Sequence, residues 1–156
     1  MEVVVEGVSP PPGGDLSQAL FELRQSPPGA KVSVVKPRST LIVSRTPQGF
    51  EVAAIARACG RKYLLAVASG GTLLEALDEA GRKLAVASAY LAKVMLAAPK
   101  AEPVVGGGAE RVAVPYDVVA GVDVALADAA RSLRAAAAEA YNAVAAARAA
   151  AAGAEG

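Results

Sequence analysis

The chain contains no histidine and no tryptophan, and it has a single cysteine, Cys59. Without histidine, neither a Ser-His-Asp or Cys-His catalytic triad nor a metal site built on imidazole can form. One cysteine cannot form a disulfide bond within the chain, and it cannot supply the several thiolates of a metal cluster. We therefore expect no metal ion and no cofactor, and we look for function in the placement of charge and in the architecture.

Residues that are damaged at high temperature are also scarce, since the chain has one asparagine, three glutamines and two methionines. This depletion is typical of proteins from hyperthermophiles. Alanine supplies about a quarter of the residues, and its abundance together with glycine, valine, arginine and proline indicates a GC-rich genome. We therefore expect a cytoplasmic protein of a hyperthermophile.

No secretory or membrane segment is expected. The N-terminal residues include Glu2 and Glu6 and lack the basic start of a signal peptide. Charged residues such as Arg131 and Arg134 interrupt the alanine-rich C-terminal region within the ~20 residues that a bilayer crossing requires.

Strand and helix signals alternate with proline and glycine clusters in the first half of the chain. Met1–Val8 is rich in β-branched residues and predicts a strand. Asp15 is placed to cap a short helix that ends before Pro27. Lys31–Lys36 and Thr40–Arg45 predict two more strands, which form either a hairpin or one kinked edge strand.

Residues 50–59 fit two structures. As a helix, the segment would be capped by Thr46, begin at Pro47 and close at Gly60. As a strand, it would place apolar residues such as Val52 on one face and the residues that alternate with them on the other face. The alanine content and the end signals slightly favour the helix, and the strand is the alternative.

A strand-to-helix junction follows this segment. Lys62–Ser69 predicts a buried strand, and Thr72-Leu73-Leu74-Glu75 has the spacing of a capping box, opening a helix that ends near Ala98. The connecting turn consists of Ser69, Gly70, Gly71 and Thr72. Free N–H groups at a helix N-terminus bind anions, so this turn is a candidate phosphate site. A plain tight turn with a good cap is the alternative, because the turn lacks the P-loop and GxGxxG patterns.

Taken together, these signals divide the whole chain into three segments. Residues 1–100 predict an α+β domain, with a small, mostly antiparallel sheet backed by helices. Residues 101–117 predict a Gly/Pro linker that includes an extended piece at Val112–Pro115. Residues 118–156 predict a long alanine-rich association helix and tail.

Apolar residues recur with seven-residue spacing along this last helix, as in a coiled coil. We expect the resulting seam to pair with a second copy in a homodimer, either parallel or antiparallel. The predicted contact residues are Val119, Leu126, Ala130, Leu133, Ala137, Ala140 and Val144. The alternative is a helix that folds back on the sheet of its own chain and ends in a frayed alanine tail.

Charge is balanced over the whole chain, at +1, but not along it. Residues 31–71 hold seven basic side chains and one acidic, whereas residues 1–30 and 101–156 each carry a net charge of −3. A basic sheet surface attracts phosphates with an affinity that falls as salt rises, and aromatic residues beside it could stack on unpaired bases. The predicted nucleic-acid contacts are Lys31, Lys36, Arg38, Arg45, Phe50, Arg57, Arg61, Lys62 and Tyr63. As an alternative, the basic side chains could form ion pairs with the acidic flanking regions, and the aromatic residues could belong to the core.

Catalysis has little support in the sequence. Cys59 has basic neighbours, but the chain offers no histidine to act as its base. Glu75, Asp78 and Glu79 are spaced as a helix cap and a solvated helix face. We therefore expect a protein that is not an enzyme, and a nucleotide-dependent enzyme using the turn at 69–72 is the weaker alternative.

The order of these features, a basic strand region at Lys31–Ser69 followed by a helix at Val118–Ala152, resembles the single-stranded DNA-binding protein of the Thermoproteales. That family has a sheet-based cleft and a zipper-like C-terminal helix. The resemblance implies a non-enzymatic protein that binds a single strand, most readily DNA, although the sequence does not choose between DNA and RNA. The alternative function is an assembly subunit of an archaeal complex, with a protein partner on the same surface.

Overall fold

The computed structural model describes residues 2–8, 16–97, 104–105, 112–113 and 116–155, with side chains at residues 2–8, 16–93 and 119–142. The elements follow one another as β1 (Glu2–Glu6), α1 (Leu16–Arg24), β2 (Lys31–Val35), β3 (Ser39–Thr46), β4 (Gly49–Ala58), β5 (Arg61–Gly70), α2 (Leu73–Ala97), β6 (Val104–Val105), β7 (Val112–Ala113) and α3 (Tyr116–Glu155).

The first five strands form one antiparallel sheet in the order β1-β2-β3-β4-β5, so every strand pairs with its neighbour in the sequence. Antiparallel neighbours need only short turns between them, and such turns connect β2 to β5. Strands β6 and β7 form a separate antiparallel pair. The α+β class and the mostly antiparallel sheet predicted from the sequence are confirmed.

The two strands on either side of Pro37 form a hairpin rather than one kinked strand. Val35 pairs with Thr40, and the backbone N–H of Lys36 donates to the carbonyl oxygen of Ser39 at 2.9 Å. The hairpin places Pro37 in the turn, where its missing N–H costs no bond of the sheet.

The segment 50–59 lies almost wholly in strand β4, so the helix predicted for it is wrong. Phe50 and Val52 are buried on one face of the strand, as alternation requires. The glycine before them is the first residue of β4, directly after the β3–β4 turn; it has a φ of +152°, and a Cβ there would lie 2.2 Å from the carbonyl oxygen of Gly70. Pairing with a strand on each side outweighs the helix propensity of the alanines.

The β4–β5 connection explains why Gly60 resembled the end of a helix. Cys59 and Gly60 have φ values of 51° and 74°, which is the backbone geometry of a two-residue hairpin turn of type I′. Gly60 therefore turns the chain between two strands, where the helix interpretation had it closing a helix.

The described helices α1, α2 and α3 pack on one face of the five-stranded sheet. Helix α1 lies against β2 and β3, α3 against β3 and β4, and α2 against β4 and β5. The core between the sheet and the helices is aliphatic, and its largest fully buried side chains include Leu20, Leu23, Val32, Val34, Leu41, Val43, Val52, Leu77 and Leu84. Burying each such side chain contributes about 1.5–3 kcal/mol, so this face is the main source of stability.

The apolar seam of α3 belongs to this core. The side chains of six predicted dimer contacts are buried or packed against the core of their own chain: Val119, Leu126, Ala130, Leu133, Ala137 and Ala140. Val144 lies outside the residues whose side chains the structure describes. The helix is thus folded back on its own sheet, which was the alternative interpretation, and in this fold the six side chains are not available to a second copy.

The described part of the C-terminal helix does not form a unit separate from the sheet, and the linker predicted at 101–117 lies largely outside the described residues. Residues 119–140 share one hydrophobic core with the sheet of residues 1–100. Within the part of the chain that the structure describes, no helix has the length and apolar character needed to cross a membrane.

Candidate nucleic-acid interface

Two neighbouring turns bring basic residues together at one end of the sheet. Because β2 to β5 run alternately up and down, the β2–β3 turn and the β4–β5 turn lie at the same end. The two turns are joined by a bond from the backbone N–H of Arg57 to the carbonyl oxygen of Arg38, at 2.8 Å. We call the group at this end the basic end; it consists of Lys36, Arg38, Arg57, Arg61 and Lys62.

The basic end holds like charges that face one another. The register pairs Arg57 of β4 directly with Lys62 of β5, so their side chains point to the same side of the sheet. Like charges directly opposite one another destabilise a sheet. Among the described side chains, no carboxylate forms a salt bridge with Arg38, Arg57, Arg61 or Lys62. The repulsion is therefore not relieved within the described part of the chain, and an anion would relieve it.

Lys36 differs from the rest of the basic end, because Asp128 of α3 partly neutralises it. Its Nζ lies 3.4 Å from Oδ1 of Asp128, and the hydroxyl of Ser39 donates to Oδ2 at 2.7 Å. Burial by itself raises the pKa of Asp128, but the bond from Ser39 and the charge of Lys36 outweigh it and hold this pKa below its usual value. The alternative predicted from the sequence, in which basic side chains form ion pairs with acidic residues of 101–156, therefore applies to Lys36.

Arg57 is held in place at the edge of this network. Its Nη1 donates to the carbonyl oxygen of Lys36 at 2.9 Å, which orients the guanidinium group. One of its five N–H donors is used by this bond, and the others remain for a ligand.

Arg45 and Phe50 lie away from the basic end, so the structure does not bring them together with the other predicted contacts. Both are on the helix-facing side of the sheet beside the β3–β4 turn, and Phe50 is only 6% exposed. Nη1 of Arg45 donates to the carbonyl oxygens of Thr46 and Gly49 at 2.8 and 2.7 Å, and its guanidinium carbon lies 4.9 Å from the centroid of the Phe50 ring. The pair therefore holds the turn.

One further predicted contact is separated from the basic end. Lys31 is exposed, but it begins β2 at the opposite end of the sheet, where it pairs in register with Glu6 and Ser44. Tyr63 lies beside the basic end, next to Lys62, and is half-buried on the helix-facing side, opposite Ala56. The structure thus brings together five of the seven predicted cations at one end of the sheet, with Tyr63 beside them.

The turn at Ser69–Thr72 uses its N–H groups internally. The backbone N–H of Glu75 donates to Oγ1 of Thr72, and the backbone N–H of Gly71 donates to the Glu75 carboxylate, both at 3.2 Å. Thr72 thus caps α2 as predicted, and the Glu75 carboxylate binds the N–H of Gly71, one residue before the cap, where an anion would have to bind. Gly70 is required for packing, because a Cβ there would lie 2.6 Å from the backbone nitrogen of Ala76. The geometry supports the plain turn rather than the phosphate site.

The sheet also has an aliphatic face that the described helices do not cover, since they all pack on the other side. We call it the uncovered face; the register assigns to it Val4, Val35, Ile42, Ala53, Ile55, Leu64 and Val67. Leu64 and Val67 are 64% and 38% exposed, so β5 is not the buried strand predicted from the sequence. The side chains on both faces of these strands are largely aliphatic, so the sequence pattern does not show which face the helices cover.

A depression of about 420 Å³ lies beside the basic end, between the β4–β5 turn and α3. It is lined by Arg38, Arg57, Ala58, Cys59, Ala120, Gly121 and Val124. The three α3 residues were missed at the sequence level. A glycine within a helical pattern was the available signal, since it often marks a close approach to another element.

Cys59 is exposed at the tip of the β4–β5 turn. Among the described residues, no three acidic or cysteine side chains come together as metal ligands would.

No protein-family model matches this chain, and no curated protein or solved structure matches it either. The resemblance to the Thermoproteales single-stranded DNA-binding protein therefore stays a prediction.

Proposed function

We propose that this protein is a non-enzymatic, cytoplasmic protein that binds single-stranded nucleic acid at its basic end. The observation that carries the proposal is the direct cross-strand pairing of Arg57 and Lys62, with no carboxylate bridging either residue in the described part of the chain. A phosphate placed between two such cations would turn repulsion into attraction. Arg38 and Arg61, in the adjoining turns, would extend the contact along the backbone of the strand.

The neighbouring surface favours a single strand over a duplex. Leu64 lies on the same side of the sheet as Lys62, and it exposes 64% of its surface. Exposed apolar side chains next to phosphate contacts suit the unpaired bases of a single strand, whereas a duplex covers its bases. Base stacking on Phe50 is not part of this proposal, because that ring is buried.

The test is an anisotropy titration with a labelled single-stranded oligonucleotide at several salt concentrations. In the double variant R61A/K62A, two exposed cations are lost from the basic end. Each phosphate contact to a single strand contributes about 0.7 to the slope of log K against log salt, so the variant should lower this slope by about 1.4.

The matched control is the double variant R24A/K31A. It removes two exposed cations as well, but Lys31 lies at the other end of β2, ~17 Å from Lys36 at about 3.3 Å per residue. We expect its salt slope to equal that of the native protein. Equal slopes for both double variants, or no binding by the native protein at low salt, would contradict the proposal.

The uncovered face favours a second candidate function, an assembly subunit with a protein partner. Aliphatic sheet faces with exposed residues such as Leu64 and Val67 are typical of protein interfaces. This function predicts that the native protein binds no oligonucleotide and that a stoichiometric partner is lost from the variant L64E.

The homodimer expected from the sequence stays a prediction, since the six seam residues that the structure describes are used in the core. Light scattering of the full chain measures the oligomeric state directly.

A further inference from the structure

The depression between the β4–β5 turn and α3 has the size and chemistry of a small binding site. Its volume of about 420 Å³ falls within the ~300–1,000 Å³ that ligand sites usually span. Its floor and walls are made by Ala58 from the sheet and by Ala120, Gly121 and Val124 from α3. Such walls offer apolar surface to a ligand and few groups that would need a hydrogen bond.

Small residues create this space. A Cβ at Gly121 would lie 3.2 Å from the Cβ of Ala58, so α3 approaches the end of β4 closely at this point. Ala120 is half-buried, and Val124 is 43% exposed on the next turn of the helix. A hollow therefore remains beside the point of close contact, open on the side where Val124 is exposed.

Two arginines stand at the rim. Arg57 is oriented by its bond to the Lys36 carbonyl oxygen at 2.9 Å. Arg38 is exposed on the β2–β3 turn, and its carbonyl oxygen accepts from the backbone N–H of Arg57. A guanidinium group is planar and permanently charged, so it can stack on a nucleobase and also bind a phosphate. Apolar walls with two arginines among the lining residues match a nucleotide, which has an apolar ring face and an anionic phosphate.

We propose that the depression accepts one unstacked nucleobase of the bound strand, with Arg38 and Arg57 contacting its ring or its phosphate. This inference rests on the proposed function, and it adds a reason for the preference for single strands. A base in a duplex would have to leave its stack and its partner before it could enter the depression, whereas a base in a single strand is already unpaired.

The experiment fills the depression and leaves the cations in place. The variant V124W adds a large side chain at a position that is 43% exposed, and V86W adds the same side chain at a 71% exposed position of α2. A single-stranded oligonucleotide and a duplex of the same sequence are titrated with both variants. Since stacking of one base is worth about 5- to 100-fold in affinity, V124W should weaken single-strand binding about tenfold. Duplex binding should stay within about twofold, because it depends on phosphate contacts.

A second readout follows the base itself. An oligonucleotide containing 2-aminopurine should change its fluorescence on binding the native protein, since the base leaves its neighbours, and V124W should abolish this change while V86W preserves it. If circular dichroism shows that V124W does not fold, A120L fills the same space from the preceding turn of α3 and serves in its place.

The outcomes separate this inference from the proposed function. A lower salt slope in R61A/K62A together with native single-strand affinity in V124W overturns the nucleobase site and leaves the phosphate contacts standing. Failure of the native protein to bind any oligonucleotide overturns both. Binding of an acidic peptide that V124W abolishes, without any effect of V124W on oligonucleotide binding, overturns the nucleobase site in favour of a protein ligand.

Discussion

Replacement of Asp128 by alanine should destabilise the protein far more than the loss of an ordinary surface carboxylate. The Asp128 side chain is 16% exposed and accepts from Ser39 at 2.7 Å, Lys36 at 3.4 Å and Arg131 at 3.3 Å. Ser39 is only 1% exposed, so in D128A its hydroxyl would stay buried without this acceptor. A stranded buried donor costs about 1–3 kcal/mol, and the loss of a charge-assisted bond adds to it, so we expect about 2–4 kcal/mol in total.

The assay is thermal and urea unfolding at neutral pH. For a chain of this size each kcal/mol lowers the Tm by about 2–4 °C, so D128A should melt roughly 5–15 °C below the native protein. D128N keeps an oxygen that can accept from Ser39, and its loss should be about half as large. The control is D78A, which removes a carboxylate that is 63% exposed and pairs with Arg82 on the surface of α2. Surface pairs contribute about 0–1 kcal/mol, so D78A should change little.

The pH dependence of the same variants tests the electrostatic part of the argument. Burial alone would raise the pKa of Asp128, but the Ser39 bond and the Lys36 charge bring it below the ordinary value of 3.8. A carboxyl whose pKa is lowered by folding stabilises the protein above its unfolded-state pKa, and this contribution is lost as the pH falls through the folded-state pKa. The gap between native protein and D128N should therefore be constant around neutral pH and narrow below about pH 4. A gap that widens on acidification, or equal losses in D128A and D78A, would refute the reasoning.

The remaining predictions concern the turns and α3. R45A removes the donor to two turn carbonyls and the cation over Phe50, and it should cost about 1.5–3 kcal/mol in urea unfolding. G49A places a methyl group 2.2 Å from a backbone oxygen at a φ of +152°, so it should cost more than the ~1 kcal/mol of an unstrained exchange. T72A removes the N-cap of α2 and should cost about 1 kcal/mol, while S69A, at an exposed position of β5 three residues before the cap, should cost less than about 0.5 kcal/mol. Truncation after Gly108 removes the buried side of α3, and calorimetry should show no cooperative unfolding, whereas a folded truncated monomer would show that the core does not need α3.

Short-range signals in the sequence predicted local structure well. The Thr72 cap of α2 forms as predicted, and the Glu75 carboxylate reaches back to the backbone N–H of Gly71, because these groups lie close together in the sequence. Pro37 predicted a break between two strands, and a hairpin turn is found there. These features depend on neighbours in the chain, so no knowledge of the fold was needed to predict them.

Signals that depend on distant residues were ambiguous. Residues 50–59 carry end signals for a helix, but strands β3 and β5 on either side draw the segment into the sheet. Phe50 and Arg45 looked like ligand contacts because both occur in a basic segment, and alternation then turned both toward the helices. The sequence showed that the segment is basic, but it did not show which of its side chains share an end of the sheet.

By itself, the sequence determined the α+β class, the break between β2 and β3 at Pro37, the cap of α2 and the gathering of positive charge in residues 31–71, because composition and short spacing carry that information. Only the tertiary structure decided where the apolar seam of α3 is buried and which basic side chains meet at the basic end. It also created the hollow where Gly121 approaches Ala58. An apolar stripe can be covered equally well by its own chain or by another copy, since the hydrophobic effect is not directional. Here the sheet of the same chain offers a matching aliphatic face, and α3 packs against it.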